Sequence, residues 1–213
     1  MTIARICFVG DSVTVGTGDA ACRGWPNRLC AAEIEGRGHD LSCYNLGVRA
    51  ETSEMIAARW ERECRPRLPD HVDGRLVFMF GLNDMADEQG VGQRAPLPKS
   101  AATARSILSR AASWKPTLWI GPTPPQRDAP EISPGPGVVY RFYRDRVIEL
   151  NDAYRAIAEE LGVSYLDLFA TLGDDPAWDR VMAEGDGVHP TGEGYAKIAE
   201  IVAQWDAWRA WMG

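Results

Sequence analysis

Three polar clusters place residues able to move protons beside apolar or glycine-rich stretches. Near the N-terminus an apolar run, Ile6-Cys7-Phe8-Val9, stops at Gly10-Asp11-Ser12 and gives way to small and polar residues. A second cluster, Gly81-Leu82-Asn83-Asp84, follows another apolar run, and a third, Asp186-Gly187-Val188-His189-Pro190, lies near the C-terminus. A serine hydroxyl that attacks an acyl carbon needs a base for its proton, a group to hold that base, and donors for the oxyanion. Ser12, His189, Asp186 and Asn83 are residues of those types. Asp186 precedes His189 by three residues, a spacing that brings a carboxylate beside the imidazole within one turn, where it fixes the tautomer. The Asn83 amide can donate to an oxyanion jointly with the backbone N–H groups of Ser12 and Gly47, and glycine at 47 allows close approach of a substrate. Asn83 can equally close an Asx-turn, and Asp11 reads as structural, accepting from nearby backbone amides.

Whether these residues meet depends on the elements that carry them. Apolar runs of strand length lie at Ala4–Val9, Leu41–Leu46, Arg75–Phe80, Thr117–Ile120 and Val163–Phe169. They are near-continuous rather than alternating, the pattern of strands covered on both faces of a parallel sheet. Helical patterns separate them: one with Pro26 in its first turn, one from Thr52 or Ser53 to Cys64, then Ser100–Ala112, Val139–Leu161 and Thr191–Met212. Five such alternations predict a three-layer α/β/α sandwich around a five-stranded parallel sheet of flavodoxin-like order, spanning residues 1–213 as one domain. Ligands of such sheets bind outside the carboxyl ends of the strands. Gly10-Asp11-Ser12, Gly47, Asn83 and the Asp186–His189 cluster all follow strands and share that rim. Of the three histidines, His39 and His71 precede strands and belong to the opposite edge, so only His189 is placed to reach Ser12.

Composition narrows the partners. The net charge is −7, with no run of Lys or Arg, which argues against nucleic acid and anionic membrane surfaces. No apolar stretch reaches the length of a membrane span, and the short apolar start is not that of a signal peptide. The five cysteines form no C-x-x-C pair and read as reduced thiols, so the expected location is the cytoplasm. A metal site would need further ligands beside Asp186 and His189, and none is expected; nor is a cofactor. A phospho-receiver needs a lysine after the last strand, and Lys99, Lys115 and Lys197 are misplaced for it. A dinucleotide fingerprint fails because Gly10–Gly16 lacks the second glycine. A non-catalytic binding module remains as the competing class. Gly121–Gly137 carries six prolines and reads as a long loop, a lid or pocket wall. Trp205, Trp208 and Trp211 mark an apolar helix face that packs on the sheet or on another copy of the chain.

In order and spacing the clusters resemble the conserved blocks of the GDSL/SGNH hydrolase family: Gly10-Asp11-Ser12, Gly47, Gly81-Leu82-Asn83-Asp84 and Asp186-Gly187-Val188-His189, continued by Pro190-Thr191-Gly192 into a closing helix. The resemblance covers nearly the whole chain. It implies a serine esterase without metal that acts on a small acyl ester, with Ser12 as nucleophile, His189 as base, Asp186 as its orienter, and Ser12, Gly47 and Asn83 as the oxyanion hole. Sugar O-acetyl esters, acyl-CoA thioesters and acyl transfer are alternatives on the same triad. Two positions depart from the pattern. Val13 stands where leucine is common, and Ala50 where the second block often has another glycine. Arg49, beside it, reads as a solvated arginine or a contact for an acidic substrate group.

Overall fold

The computed structural model describes residues 1–213. In chain order the elements are β1 (Ile3–Gly10), α1 (Ser12–Val15), α2 (Gly24–Arg37), β2 (Asp40–Gly47), α3 (Ser53–Cys64), β3 (Gly74–Met79), a 3₁₀ turn (Leu82–Met85), β4 (Asp87–Glu88), β5 (Gly92–Gln93) and α4 (Leu97–Trp114). There follow β6 (Thr117–Ile120), β7 (Glu131–Gly135), β8 (Val138–Arg141), α5 (Arg144–Leu161), β9 (Ser164–Leu166), α6 (Leu168–Leu172), α7 (Pro176–Ala183), α8 (Gly192–Gln204) and α9 (Asp206–Met212).

The main sheet has the order β2-β1-β3-β6-β9, and every pairing in it is parallel. Its strands are the five expected from their apolar runs. Side chains on neighbouring positions of a strand point to opposite faces, so each face collects its own helices. Phe8 meets the rings of Trp25 on α2 and Trp208 on α9, at centroid distances of 5.3 and 6.3 Å. Phe78, whose register partner is Val9, instead meets Trp60 on α3 at 5.4 Å. The buried apolar side chains form one cluster of 50 residues, so both helical layers share a core with the sheet. Trp208 is fully buried there, and Trp205 and Trp211 pack at its border. No helix is long and apolar enough to cross a membrane.

Four elements differ from expectation. The helix read over Val139–Leu161 begins only at Arg144, because Val138–Arg141 forms β8. The proline-rich segment is not wholly irregular either: Glu131–Gly135 is β7. These two pair with each other and, through β4, with β5 in a second, antiparallel sheet of order β5-β4-β8-β7. β7 lies at its edge and is irregular between Ile132 and Gly135, around Pro134, which has no N–H to give to a ladder. The strand read to Phe169 stops at Leu166, since the Asp167 carboxylate accepts the Ala170 N–H and starts α6. The last helix is broken at Trp205, whose ψ of 127° is extended, and continues as α9.

Candidate active site

β1 delivers Ser12 through a tight strand-to-helix turn. The Asp11 side chain accepts the Val13 N–H at 3.0 Å and so caps α1. Thr14 Oγ1 donates to the Met79 carbonyl of β3 at 3.2 Å, which pins α1 across the end of the sheet. That contact explains Gly10: a Cβ there would stand 2.1 Å from both the Met79 oxygen and Thr14 Oγ1. Ser12 is the first residue of α1, so its N–H lacks an intrahelical acceptor. It sits between the ends of β1 and β3, on opposite sides of which the chain crosses over; this is the crevice where ligands of such sheets collect.

The Asp186–His189 turn folds on itself. Asp186 Oδ1 accepts the N–H groups of Val188 (3.0 Å) and His189 (2.7 Å), which fixes the direction of the imidazole. Asp186 Oδ2 lies 2.7 Å from His189 Nδ1, and His189 Nε2 lies 2.7 Å from Ser12 Oγ. An N–H at Nδ1 facing the carboxylate leaves the Nε2 lone pair to the serine hydroxyl. His189 is buried, whereas the Asp186 side chain is 46 % exposed. The proline-rich segment braces this turn: Gln126 donates its N–H to Gly187 O at 2.8 Å, and Trp178 Nε1 donates to Pro124 O at 2.9 Å.

Asn83 enters from the 3₁₀ turn after β3. Its Nδ2 donates to Asp11 Oδ2 at 3.2 Å with one hydrogen, leaving the other for a ligand. Asp84, fully buried, anchors the same turn by accepting from Ser53 N (2.9 Å), Ser53 Oγ (2.5 Å) and Ser100 Oγ (2.8 Å), tying it to α3 and α4. Gly47 is placed differently from its neighbours on the rim. Its N–H donates to Asn45 Oδ1 at 3.1 Å, and a Cβ on it would stand 2.3 Å from Val15 N. Packing against α1 therefore accounts for the glycine, and its amide is engaged. Three residues on, Ala50 adopts a left-handed φ of 63°, which costs an alanine about 1 kcal/mol. Arg49 is exposed, His71 is exposed, and His39 is buried at the opposite end of the sheet.

The model of the GDSL-like lipase/acylhydrolase family matches residues 8–197. The chain belongs to that family. Among solved structures, a lipase/acylhydrolase from Enterococcus faecalis is similar at 20% identity and a TM-score of 0.77, with 97% of each chain covered. An acetylxylan esterase from Geobacillus stearothermophilus is similar at 18% identity and a TM-score of 0.69, with 97% of this chain and 98% of that one covered. These likenesses show a shared fold. No curated protein matches.

As a GDSL-like acylhydrolase the protein is an ester-hydrolysing enzyme acting on a small-molecule ester, and its rim electrostatics bear on that chemistry. Burial pushes the Asp11 carboxyl up to about 6, against the Val13 N–H, the nearby His189 and the Asn83 amide; the neighbouring Asp84 adds to the rise. Burial also raises Asp84, opposed by the bonds from Ser53 and Ser100 and by the charge of Arg94. Burial works in the same direction on Asp186, but there the hydrogen bonds and charge of His189, with the Val188 N–H, win and hold the carboxyl below its ordinary value. Asp186 is thus kept ionised beside the imidazole. Asn45 and Arg94 are site-building residues that sequence reasoning missed. Asn45 Nδ2 donates to Thr14 O at 2.8 Å while its Oδ1 takes the Gly47 N–H, stitching β2 to α1. The one signal for Asn45 is its place two residues before Gly47.

Proposed function

We propose that the protein, acting as one hydrolase domain, is a serine esterase that cleaves a small carboxylic ester through an acyl-enzyme. The observation that carries this reading is the unbroken hydrogen-bonded line from Asp186 Oδ2 through the imidazole of His189 to Ser12 Oγ, each step 2.7 Å. Ser12 Oγ attacks the acyl carbon while its proton passes to His189 Nε2; Asp186 stabilises the imidazolium and stays ionised. Negative charge moves to the carbonyl oxygen, where Ser12 N–H and the free hydrogen of Asn83 Nδ2 receive it. From the second block, the Gly47 N–H would have to leave Asn45 to join them, whereas the N–H of Ala50 meets no acceptor in the protein. Of residues 47–50, Arg49 and Ala50 are the ones whose N–H is unengaged. Collapse expels the alcohol, protonated by His189 Nε2, and water repeats the two steps in reverse to release the acid.

An acetyl or other short acyl group suits the family, and acetylated sugars belong in the substrate panel beside simple esters. All five thiols are free, which supports a reducing, cytoplasmic setting. The direct test is Ser12→Ala assayed with p-nitrophenyl acetate. Turnover is expected to fall by about 10⁴-fold or more, with the thermal melt little changed. A folded variant that hydrolyses the ester at the wild-type rate would overturn the assignment.

A further inference from the structure

Arg94 follows β5, and its neighbours are tied to the turn that carries Asn83. Its own N–H donates to Ala86 O at 2.9 Å, and the N–H of Ala95 donates to Asp84 O at 3.1 Å. The guanidinium reaches back to the rim, where all its hydrogen bonds go to neutral oxygens. Nη2 donates to Ala50 O at 2.7 Å, and Nη1 to Asn83 Oδ1 at 3.3 Å and Asn83 O at 3.5 Å. The ring of Tyr140 on β8 lies beneath it, 4.1 Å from Cζ to the centroid, so the second sheet supports the plane of the fork.

A side-chain amide has a donor end and an acceptor end of nearly equal shape, and its partners decide which end faces where. At Asn83 the acceptor faces a cation and the donor faces the Asp11 carboxylate. Rotating the amide by half a turn would set N–H₂ against the guanidinium and oxygen against the carboxylate, two repulsive contacts in place of two attractive ones. The same guanidinium holds the carbonyl of Ala50, the residue in the left-handed turn. One side chain thus bonds to both loops that offer donors beside Ser12.

We propose that Arg94 is a positioning residue for ester hydrolysis: held in place by its bond to the Ala50 carbonyl, it locks the donor end of Asn83 toward the oxygen that becomes the oxyanion. This rests on the serine-esterase reading. Lysine could supply the charge but not the planar fork that spans both acceptors.

The test makes Arg94→Met and Arg94→Lys, each alone and combined with Asn83→Ala. Arg94→Met is expected to lower kcat on the order of 10–100-fold with KM nearly unchanged, short of the 10²–10³ that loss of an oxyanion donor costs. On the Asn83→Ala background the further loss should be much smaller, because the amide it orients is gone. If Arg94→Met fails to fold, Arg94→Lys carries the same comparison. Wild-type kcat in the folded variant, or an equal loss on both backgrounds, would overturn the proposal. An arm without substrate separates it from the esterase reading. The side-chain N–H₂ resonances of Asn83, assigned by their disappearance in Asn83→Ala, should shift or broaden in the Arg94 variant. Unmoved resonances would refute the role of Arg94 even if Ser12→Ala abolished turnover, whereas an active Ser12→Ala would remove the nucleophile and leave the resonances to decide.

Discussion

The protein holds two buried histidines beside carboxylates, one at each end of its main sheet, and only one of them reaches a hydroxyl. His189 stands 2.7 Å from Asp186 on one side and 2.7 Å from a serine hydroxyl on the other. His39 has its Nε2 3.7 Å from Glu33 Oε2, but its Nδ1 accepts the Thr2 N–H at 3.0 Å, so its basic nitrogen is occupied by backbone. Glu33 is shared as well: Trp208 Nε1 donates to it at 3.0 Å and Arg209 pairs with it. At the amino end the bonds of His39 to Thr2 and of Glu33 to Trp208 and Arg209 close the chain's first and last elements onto α2. At the carboxyl end the imidazole lone pair faces a serine hydroxyl whose proton can move, and one amide hydrogen of Asn83 is left over. What distinguishes the two ends is therefore the partner of the imidazole's second nitrogen, a hydroxyl at one and a backbone N–H at the other, since a histidine next to a carboxylate occurs in both.

Matched substitutions break this contrast most sharply. Asp186→Asn should cut kcat on the order of 10²–10⁴-fold, by releasing the tautomer and the support of the imidazolium, while the melt hardly moves. Glu33→Gln should do the reverse, costing about 2 kcal/mol of stability with partly solvated Arg209 left unpaired, and leaving turnover near the wild-type value. A folded Glu33→Gln without activity would erase the distinction between the two ends.

Acid titration sharpens the contrast next. Turnover should fall on acidification from roughly pH 8 to 5, because only neutral imidazole serves as base. The Asp186 carboxyl is held low, so it stays ionised through this window and adds no second limb there. A flat profile measured with saturating ester would contradict His189 as the base.

The smallest effect concerns Asp11, a buried carboxylate of the rim. Glu33 has an arginine, while Asp11 has only amide donors and a folded-state value of about 6. A carboxyl raised on folding binds its proton more tightly in the native state. Its stabilising share is full below the ordinary value near 3.8 and is lost as pH rises through about 6. Urea unfolding at pH 4.5 and pH 7 should show wild type losing about 2 kcal/mol relative to Asp11→Asn across that interval. A constant difference between the two proteins would exclude this contribution.

Much of this was legible before coordinates. Each rim cluster is a short contiguous polar block directly after an apolar run, and the parallel-sheet rule puts such blocks on one edge whatever their distance in sequence. Ser12, Asn83, Asp186 and His189 were readable on that ground, as were the five main strands. The second sheet was not. β4 and β5 are two residues each, β7 carries a proline, and the β4–β8 pairing that joins the two hairpins links segments far apart in sequence, so no local period announces them. The Val138–Arg141 stretch was absorbed into the helix that follows for the same reason: its β character comes from neighbours rather than from its own pattern. Arg94 was invisible because two of its acceptors are backbone carbonyls, of Ala50 and Asn83, which any sequence possesses, and no motif links it to the third, Asn83 Oδ1.

The small antiparallel sheet has a practical consequence for engineering. It joins the excursion between β3 and α4 to the one between β6 and α5, and the Arg146–Asp87 pair fastens them again from α5. Swapping either excursion alone for a relative's would strip backbone partners from the one left behind. Transplanting substrate preference within this fold therefore calls for moving both inserts as one cassette, and a chimera carrying only half of it would be expected to fray.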